Sequence, residues 1–148
     1  MVIQRLQNLY LLLAAIIMAV FVFVPVMNVT SEAGLFTLSA LSTGISGNPM
    51  QPHWLLLCLD VLIVVMLVAT LFKFKDLRLQ MKLCKVNLTL IVALILSIFV
   101  MWFLQRGHGI AVMTLWMMLP FAAMVLTMMA NGCIKNDRKL LSDSERLR

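Results

Sequence analysis

The sequence predicts an all-α membrane protein: a four-helix transmembrane bundle with both termini inside and a small extracytoplasmic β-hairpin between helices 1 and 2. Three observations support this fold class. Apolar residues make up 63% of the 148 residues, whereas about half is usual in a soluble domain. Four apolar runs are each near the ~20 residues that cross the hydrocarbon core of a bilayer. When the runs are threaded as crossing helices, eleven of the twelve Lys and Arg residues fall on one side, and Arg106 alone falls on the other.

The same charge distribution predicts the orientation. Positively charged residues near the ends of spans stay in the cytoplasm, so we expect the N-terminus, the second connection and the C-terminal tail to face the cytoplasm. The chain is then a single integral membrane domain over residues 1–148. Its predicted parts are spans at about 9–26, 54–72, 86–104 and 110–132, an outer loop at 27–53, an inner loop at 73–85 and a cytoplasmic tail at 134–148.

The first span has two interpretations. Arg5 precedes it and Ser31-Glu32-Ala33 follows it, a pattern that also occurs in cleaved signal peptides. Its apolar stretch of 18 residues is longer than a typical signal-peptide core, so we expect an uncleaved anchor.

The outer loop holds the predicted hairpin. Two short β-prone runs, 26–30 and 35–40, flank a turn that contains Gly34. An isolated hairpin is only marginally stable in water, so we expect this one to rest on the ends of the helices.

The inner loop is expected to be helical. Lys75, Arg78, Lys82 and Lys85 recur at spacings of three, four and three residues, which places them on one helix face. Such a basic stripe can lie on anionic lipid headgroups. The alternative is a docking face for an acidic partner or RNA; the segment lacks the interleaved aromatic residues that favour nucleic acid, so we expect no nucleic-acid partner.

The last two spans are joined by a short outer turn at residues 105–109, which makes them antiparallel neighbours. The fourth span is predicted to begin at Ile110. Pro120 then lies inside this span, and we expect it to bend the helix.

Asp60 is the acidic residue inside a span, roughly 9 Å below the outer interface. Burying it there costs on the order of 2–3 kcal/mol, so its side chain should face protein or a wet cavity. Five residues are its expected companions in a polar site: Ser97, Arg106, His53, Thr114 and Trp116. The site either binds a proton or cation, or holds a hydrogen-bonded, neutral Asp60 that fixes helix 2 against its neighbours. The second interpretation is favoured, because a transporter usually offers more than one acid.

The sequence contains no known catalytic signature. It lacks HExxH, GxSxG, a phosphate-binding loop and a metal-ligand cluster. Cys58, Cys84 and Cys133 form no CxxC pair, and the outer loop has no cysteine, which excludes a disulfide there. We therefore expect no enzyme activity, no catalytic residue, no metal and no cofactor.

Three blocks carry a resemblance to a known family. They are Met1-Val2-Ile3-Gln4-Arg5 with the following Leu9–Ala15, the segment from Phe72 to Asn87, and the tail from Ile134 to Arg148. Together they resemble an uncharacterised family of small four-span inner-membrane proteins of Bacteroidetes, a domain-of-unknown-function family, over nearly the whole chain. The resemblance implies a multi-pass protein of the bacterial cytoplasmic (inner) membrane, and it brings no activity with it.

The polar residues of these blocks suggest a working surface on the cytoplasmic face. The predicted docking residues are Gln4, Arg5, Arg78, Gln80, Asn87, Arg146 and Arg148. The leading hypothesis is a non-enzymatic accessory or assembly protein that acts through this basic face. Its expected partners are anionic headgroups of the lipid bilayer and a membrane or cytoplasmic protein; no oligomeric state is predicted. The alternative is a small ion or solute transporter that uses Asp60.

Overall fold

The computed structural model describes residues 2–31, 34–39, 43–44, 54–73, 76–106 and 110–146; the side chains of residues 2–5, 31, 36, 43–44 and 105 are not described. Within these ranges the chain is mostly helical and has a small antiparallel sheet. The elements are α1 (Val2–Phe21), β1 (Pro25–Ser31), β2 (Gly34–Ser39), β3 (Thr43–Gly44), α2 (Trp54–Phe72), α3 (Leu77–Gln105), β4 (Ile110–Met113), a short 3₁₀ helix (Leu115–Met117) and α4 (Met118–Arg146).

Three of the described helices have the length and apolar composition needed to cross a membrane: Trp54–Phe72, Leu77–Leu104 and Leu115–Arg146. Helix α1 contains a shorter apolar helix, Leu6–Phe21. The 29 residues of α3 correspond to about 43 Å of helix, compared with about 30 Å of hydrocarbon in a bilayer. Helix α3 is therefore longer than a membrane crossing requires.

The four helices pack in a ring, in which α1 contacts α2 and α4, and α3 contacts the same two helices. Successive helices run in opposite directions. We call the end of the bundle where α1 begins and α4 ends the tail end, and the opposite end, where the sheet lies, the sheet end. Helices α1 and α3 are thus diagonal partners, and so are α2 and α4.

Each helix buries one stripe of residues spaced alternately by three and four positions. This spacing averages 3.5 residues and is typical of antiparallel bundles with knobs-into-holes packing. On α3 the buried stripe is Gln80, Cys84, Asn87, Ile91, Leu94 and Ile98. On α1 it is Gln7, Leu11, Ala14, Met18 and Phe21. These stripes form the core of the bundle.

The opposite faces of the helices are exposed and apolar. Examples are Leu12 and Ile16 on α1, Val65 on α2 and Leu96 on α3. A soluble monomer rarely exposes so large a continuous apolar surface, because its hydration is unfavourable. The helices therefore expose the surface expected of a membrane protein.

The predicted hairpin is present as β1 and β2, which pair from Pro25↔Ser39 to Ser31↔Gly34. Gly34 has a φ of 131°, a conformation that residues with a Cβ rarely adopt. The inward face of the sheet buries Met27, Val29 and Leu38. The hairpin thus rests on the ends of the helices. This agrees with the expectation, because a hairpin without such support is only marginally stable in water.

The hairpin belongs to a larger sheet with the strand order β3-β2-β1-β4. Strand β4 pairs with β1 over Met27↔Met113 to Thr30↔Ile110, and the Thr114 N–H donates to the Val26 carbonyl at 3.1 Å. The sequence interpretation placed these four residues at the start of span 4. They form a strand instead, because pairing with β1 provides hydrogen-bond partners for the backbone N–H and C=O groups along its edge.

Both prolines near helix ends mark boundaries. Helix α1 ends at Phe21, four residues before Pro25, which is the first residue of β1 and needs no ladder hydrogen bond there. Helix α4 begins at Met118, so Pro120 lies in its first turn. The 3₁₀ helix Leu115–Met117 runs directly into α4. Pro120 therefore lies close to the start of α4 and not in the middle of a span.

The predicted inner loop is largely helical in the structure. Helix α3 begins at Leu77 after Asp76, and the Gln80 N–H donates to the Asp76 carbonyl at 2.9 Å. Helix α4 likewise continues to Arg146. Both helices extend past Phe72, the last residue of α2, so the tail end of the bundle is built mainly from α1, α3 and α4.

Candidate functional site: buried polar groups and a charged pocket

Asp60 lies on the buried stripe of α2, between Leu56 and Ile63. Its side chain is fully buried. Neither of its carboxylate oxygens has a hydrogen-bond partner among the residues that the structure describes. Asp60 therefore faces the bundle interior and not lipid.

The depth of Asp60 follows from a contact near the other end of α2. The Asn87 amide donates to the Thr70 hydroxyl at 3.1 Å, so these two residues are level. Helices α2 and α3 run in opposite directions, which places Asp60, ten residues before Thr70, near Ser97. The Ser97 hydroxyl donates to the Leu94 carbonyl of its own helix at 2.6 Å. Ser97 thus lies at the expected depth but is bonded to its own helix.

Two of the other expected companions of Asp60, Arg106 and Trp116, are exposed. Arg106 is exposed, and its guanidinium lies 5.2 Å from the centroid of the Trp102 ring. Trp116 is 48% exposed. The Thr114 hydroxyl is buried and has no hydrogen-bond partner in the described part of the chain. His53 lies outside the described residues.

Trp102 connects α3 to the sheet. Its indole N–H donates to the Ala111 carbonyl of β4 at 3.1 Å, and the same ring carries the Arg106 contact. Arg106 therefore makes a cation–π contact with Trp102.

Two of the predicted docking residues are buried. Gln80 and Asn87 are both fully buried, which removes them from any docking surface of the folded chain. The Gln7 amide donates to the Gln80 Oε1 at 3.4 Å. Asn87 bonds to Thr70, whose hydroxyl donates to the Met66 carbonyl at 2.6 Å. The sequence carried a signal for this burial, because Gln80, Cys84 and Asn87 continue the three–four spacing of the apolar stripe.

The remaining docking residues divide into two groups. Arg78 and Arg146 are exposed at the tail end. The side chains of Gln4 and Arg5 and the whole of Arg148 lie outside the described residues. Arg78 and Arg146 are thus the two predicted docking residues whose side chains the structure describes as exposed.

Sequence reasoning missed Asp137 on α4. It is 8% exposed, and its Oδ2 has no hydrogen-bond partner within the described ranges. Its spacing from Ala130 and Ile134 continues the buried stripe of α4. This three–four spacing is the signal in the sequence that indicates its burial.

A pocket of about 490 Å³ lies between the tail-end parts of α3 and α4. Its lining residues are Asp76, Leu77, Arg78, Leu79, Arg138, Leu141, Ser142 and Glu145. We call it the tail pocket. It combines apolar side chains with charges of both signs, and it can accommodate a segment of chain that is partly apolar and charged.

The described residues contain no group of three or more acidic, histidine or cysteine side chains that could hold a metal ion. The cysteines are free thiols: Cys58 is exposed, Cys84 is buried and Cys133 is half-buried.

A family model matches residues 3–147, which is nearly the whole chain. Its description is "domain of unknown function (DUF4293)". The chain belongs to this family. No curated protein and no solved structure matches the chain.

The DUF4293 match includes every buried polar residue described above, from Gln7 to Asp137. It also includes both halves of the tail pocket. These residues therefore lie within the matched domain.

Proposed function

We propose that this DUF4293 chain is a non-enzymatic integral membrane protein of the bacterial inner membrane, with both termini in the cytoplasm. It acts as an accessory or assembly protein that docks an acidic segment of another protein at the tail end of its bundle. The single observation that carries this proposal is the tail pocket, which lies on the parts of α3 and α4 that extend beyond α2.

The charge of the tail end favours an acidic partner. Exposed residues there include eight cations, namely Lys73, Arg78, Lys82, Lys85, Lys135, Arg138, Lys139 and Arg146, against three anions, Asp76, Asp143 and Glu145. The same residues support the proposed orientation, because positive charge at the ends of spans is retained in the cytoplasm. The cationic excess also attracts anionic headgroups.

Two arginines in the tail pocket provide directional contacts. Arg78 on α3 and Arg138 on α4 line it together. A guanidinium binds a carboxylate with two parallel hydrogen bonds, which gives more geometric specificity than a lysine ammonium. Leu79 and Leu141 add exposed apolar surface beside them. A partner segment with a carboxylate next to an apolar side chain matches these four side chains of the lining.

The test distinguishes binding at the tail pocket from attraction to the overall positive charge of the tail end. A tagged chain is purified from native membranes after crosslinking, as the wild type and as two double variants. Arg78→Ala/Arg138→Ala removes both pocket cations. Lys82→Ala/Lys139→Ala removes the same charge from the same two helices, outside the pocket lining.

We expect a specific protein that copurifies with the wild type and the lysine variant and is lost from the arginine variant. Anionic lipid should fall equally in both variants, because headgroup attraction depends on total charge. A partner list that is identical for all three chains, or that falls equally in both variants, contradicts docking at the tail pocket.

A second function, a small ion or solute carrier, is favoured by one observation: Asp60 is fully buried on an interior stripe without a hydrogen-bond partner in the described chain. Intramembrane acids of this kind mark proton and ion pathways in transporters. The test is proton flux in proteoliposomes under a pH gradient. Flux that exceeds that of empty vesicles and disappears in Asp60→Asn supports the carrier, and an unchanged flux in Asp60→Asn excludes it.

A further inference from the structure

The sheet stands beside the sheet-end turns of α2 and α3. Met27 of β1 and Leu38 of β2 line a small pocket. Leu56 of α2 and Met101 of α3 line the same pocket. These strands are therefore level with the last turns of the two helices at this end of the bundle.

The depth of this level in a bilayer follows from the length of α2. Its 19 residues correspond to about 28 Å of helix, close to the ~30 Å of hydrocarbon in a bilayer. Leu56 is the third residue of α2, so it lies about 3 Å inside the end of that helix. Met27 shares its pocket, and Met113 of β4 pairs with Met27. The pair Met27↔Met113 is therefore level with the edge of the hydrocarbon core.

The sheet occupies the level that further turns of α1 and α4 would otherwise fill. Helix α1 ends at Phe21, and α4 begins at Met118. The exposed apolar surface of these two helices does not stop there. It continues through Phe23 and Leu115 to Val112 on β4, which are all exposed. The surface expected to face lipid on the helices thus extends onto the sheet.

The residues of the sheet suit this position. Strands β1, β2 and β4 contain no charged residue. The face of an antiparallel sheet that lies in water usually carries polar residues. On β4 that face instead carries Val112, which is 57% exposed, and Ile110, which is 70% exposed. The β4 side of the sheet therefore presents an apolar surface.

The edge of β4 is partly closed, as a position at membrane depth requires. Backbone groups on an open sheet edge find no hydrogen-bond partner in hydrocarbon. The Thr114 N–H donates to the Val26 carbonyl, and the alternation of an antiparallel ladder then directs the Ala111 carbonyl away from β1. This carbonyl accepts the indole N–H of Trp102 at 3.1 Å. Trp102 thus supplies from α3 a partner that lipid cannot supply.

We propose that the β4 side of the sheet is a lipid-contacting surface, with Val112 at the edge of the hydrocarbon core and Ile110 among the headgroups. Strand residues are about 3.3 Å apart, which places Val112 about 3 Å and Ile110 about 10 Å further out than Met113. The headgroup region outside the core is about 5–7 Å thick. The inference rests on the membrane insertion in the proposed function, and it does not depend on docking at the tail pocket.

Spin labelling of single cysteines measures the surroundings of this surface. The full chain, with its three native cysteines replaced, is reconstituted in phosphatidylcholine vesicles with a nitroxide on Val112→Cys or Ile110→Cys. Collision rates are measured with oxygen, which concentrates in hydrocarbon, and with a water-soluble nickel chelate. Two reference variants are Val125→Cys, at an exposed apolar position within the span of α4, and Ser142→Cys, exposed at the tail end.

For Val112→Cys we expect an oxygen-to-nickel ratio several-fold above that of Ser142→Cys and below that of Val125→Cys. The corresponding depth is about 15 Å from the bilayer midplane, which is half the hydrocarbon thickness. Ile110→Cys should give a lower ratio than Val112→Cys, because it lies further out on the same face.

Three results overturn the inference. Nickel collisions at Val112→Cys as frequent as at Ser142→Cys would place this surface in water. Low collision rates with both reagents would place it under protein, either another part of this chain or a second copy. A higher ratio at Ile110→Cys than at Val112→Cys would contradict the direction of the strand.

The reference at Val125 separates this inference from the proposed function. If Val125→Cys is also in water, the chain does not insert into the bilayer, and the proposed membrane protein fails together with the lipid-contacting sheet. If Val125→Cys is in hydrocarbon while Val112→Cys is in water or under protein, the inference about the sheet alone is refuted.

Discussion

Replacing Leu94 by alanine tests whether the buried stripe of α3 holds the bundle together. Leu94 is fully buried, whereas Leu96, two residues later on the same helix, is 59% exposed. The two substitutions remove the same three carbon atoms. They differ only in whether those carbons contact other helices or the surroundings of the bundle.

The expected magnitude follows from this difference. In water-soluble cores a Leu→Ala change costs roughly 2.7–5.0 kcal/mol, a sum of the lost transfer free energy and the cavity left behind. In a bilayer the transfer contribution largely disappears, because lipid is as apolar as leucine. The packing contribution remains, and we expect Leu94→Ala to lower the free energy of unfolding by about 1–3 kcal/mol. Leu96→Ala should change it by less than about 0.5 kcal/mol.

The assay is reversible unfolding of the full chain in bicelles, by steric trapping or by titration with a denaturing detergent. Both variants are measured beside the wild type under the same conditions. Equal losses at the two positions, or a larger loss at Leu96, would refute the assignment of interior and lipid-facing sides.

Three further predictions use the same assay. Trp102→Phe removes the hydrogen bond to the Ala111 carbonyl and should lower the free energy of unfolding by about 1 kcal/mol; no change would mean that the sheet is held without it. A double-mutant cycle of Thr70→Val and Asn87→Leu should give a coupling energy of about 0.6 kcal/mol and at most about 1.7 kcal/mol, and a coupling of zero would mean that the two side chains do not bond. Asp60→Leu should leave the chain at least as stable as the wild type, because it removes an unpartnered buried carboxylate; a loss above about 1 kcal/mol would reveal a stabilising partner of Asp60.

Much of the fold was predictable, because long apolar runs and local turn residues determine it. The hairpin followed from β-prone runs on both sides of Gly34, and the helical inner segment followed from the spacing of its basic residues. Strand β4 was not predictable from its own residues, since Ile110–Met113 is equally suited to the start of an apolar helix. What decides its conformation is the edge of β1, a contact between segments about 80 residues apart.

The candidate site was predicted less well. Asp60 was expected to be buried, and it is. Gln80 and Asn87 were placed on a surface because they are polar residues of the family-like blocks on the predicted cytoplasmic face, and no burial was predicted for Asp137. Their polar side chains suggest that these residues face solvent. Their three–four spacing from Cys84 and Ile134 indicates instead that they face the interior of the bundle. The spacing was the better guide, because side-chain direction on a helix depends on position and not on the charge of neighbouring residues.

The proposed function depends most directly on which side of the membrane the tail end faces. Single cysteines at Thr30, exposed in β1, and at Ser142, exposed on α4, are placed in a chain whose three native cysteines are replaced. A membrane-impermeant thiol reagent is then applied to intact cells and to permeabilised cells. The proposal predicts that Thr30→Cys reacts in intact cells and that Ser142→Cys reacts only after permeabilisation of the inner membrane. Labelling of Ser142→Cys in cells with an intact inner membrane would place the tail pocket outside and contradict docking of a cytoplasmic partner.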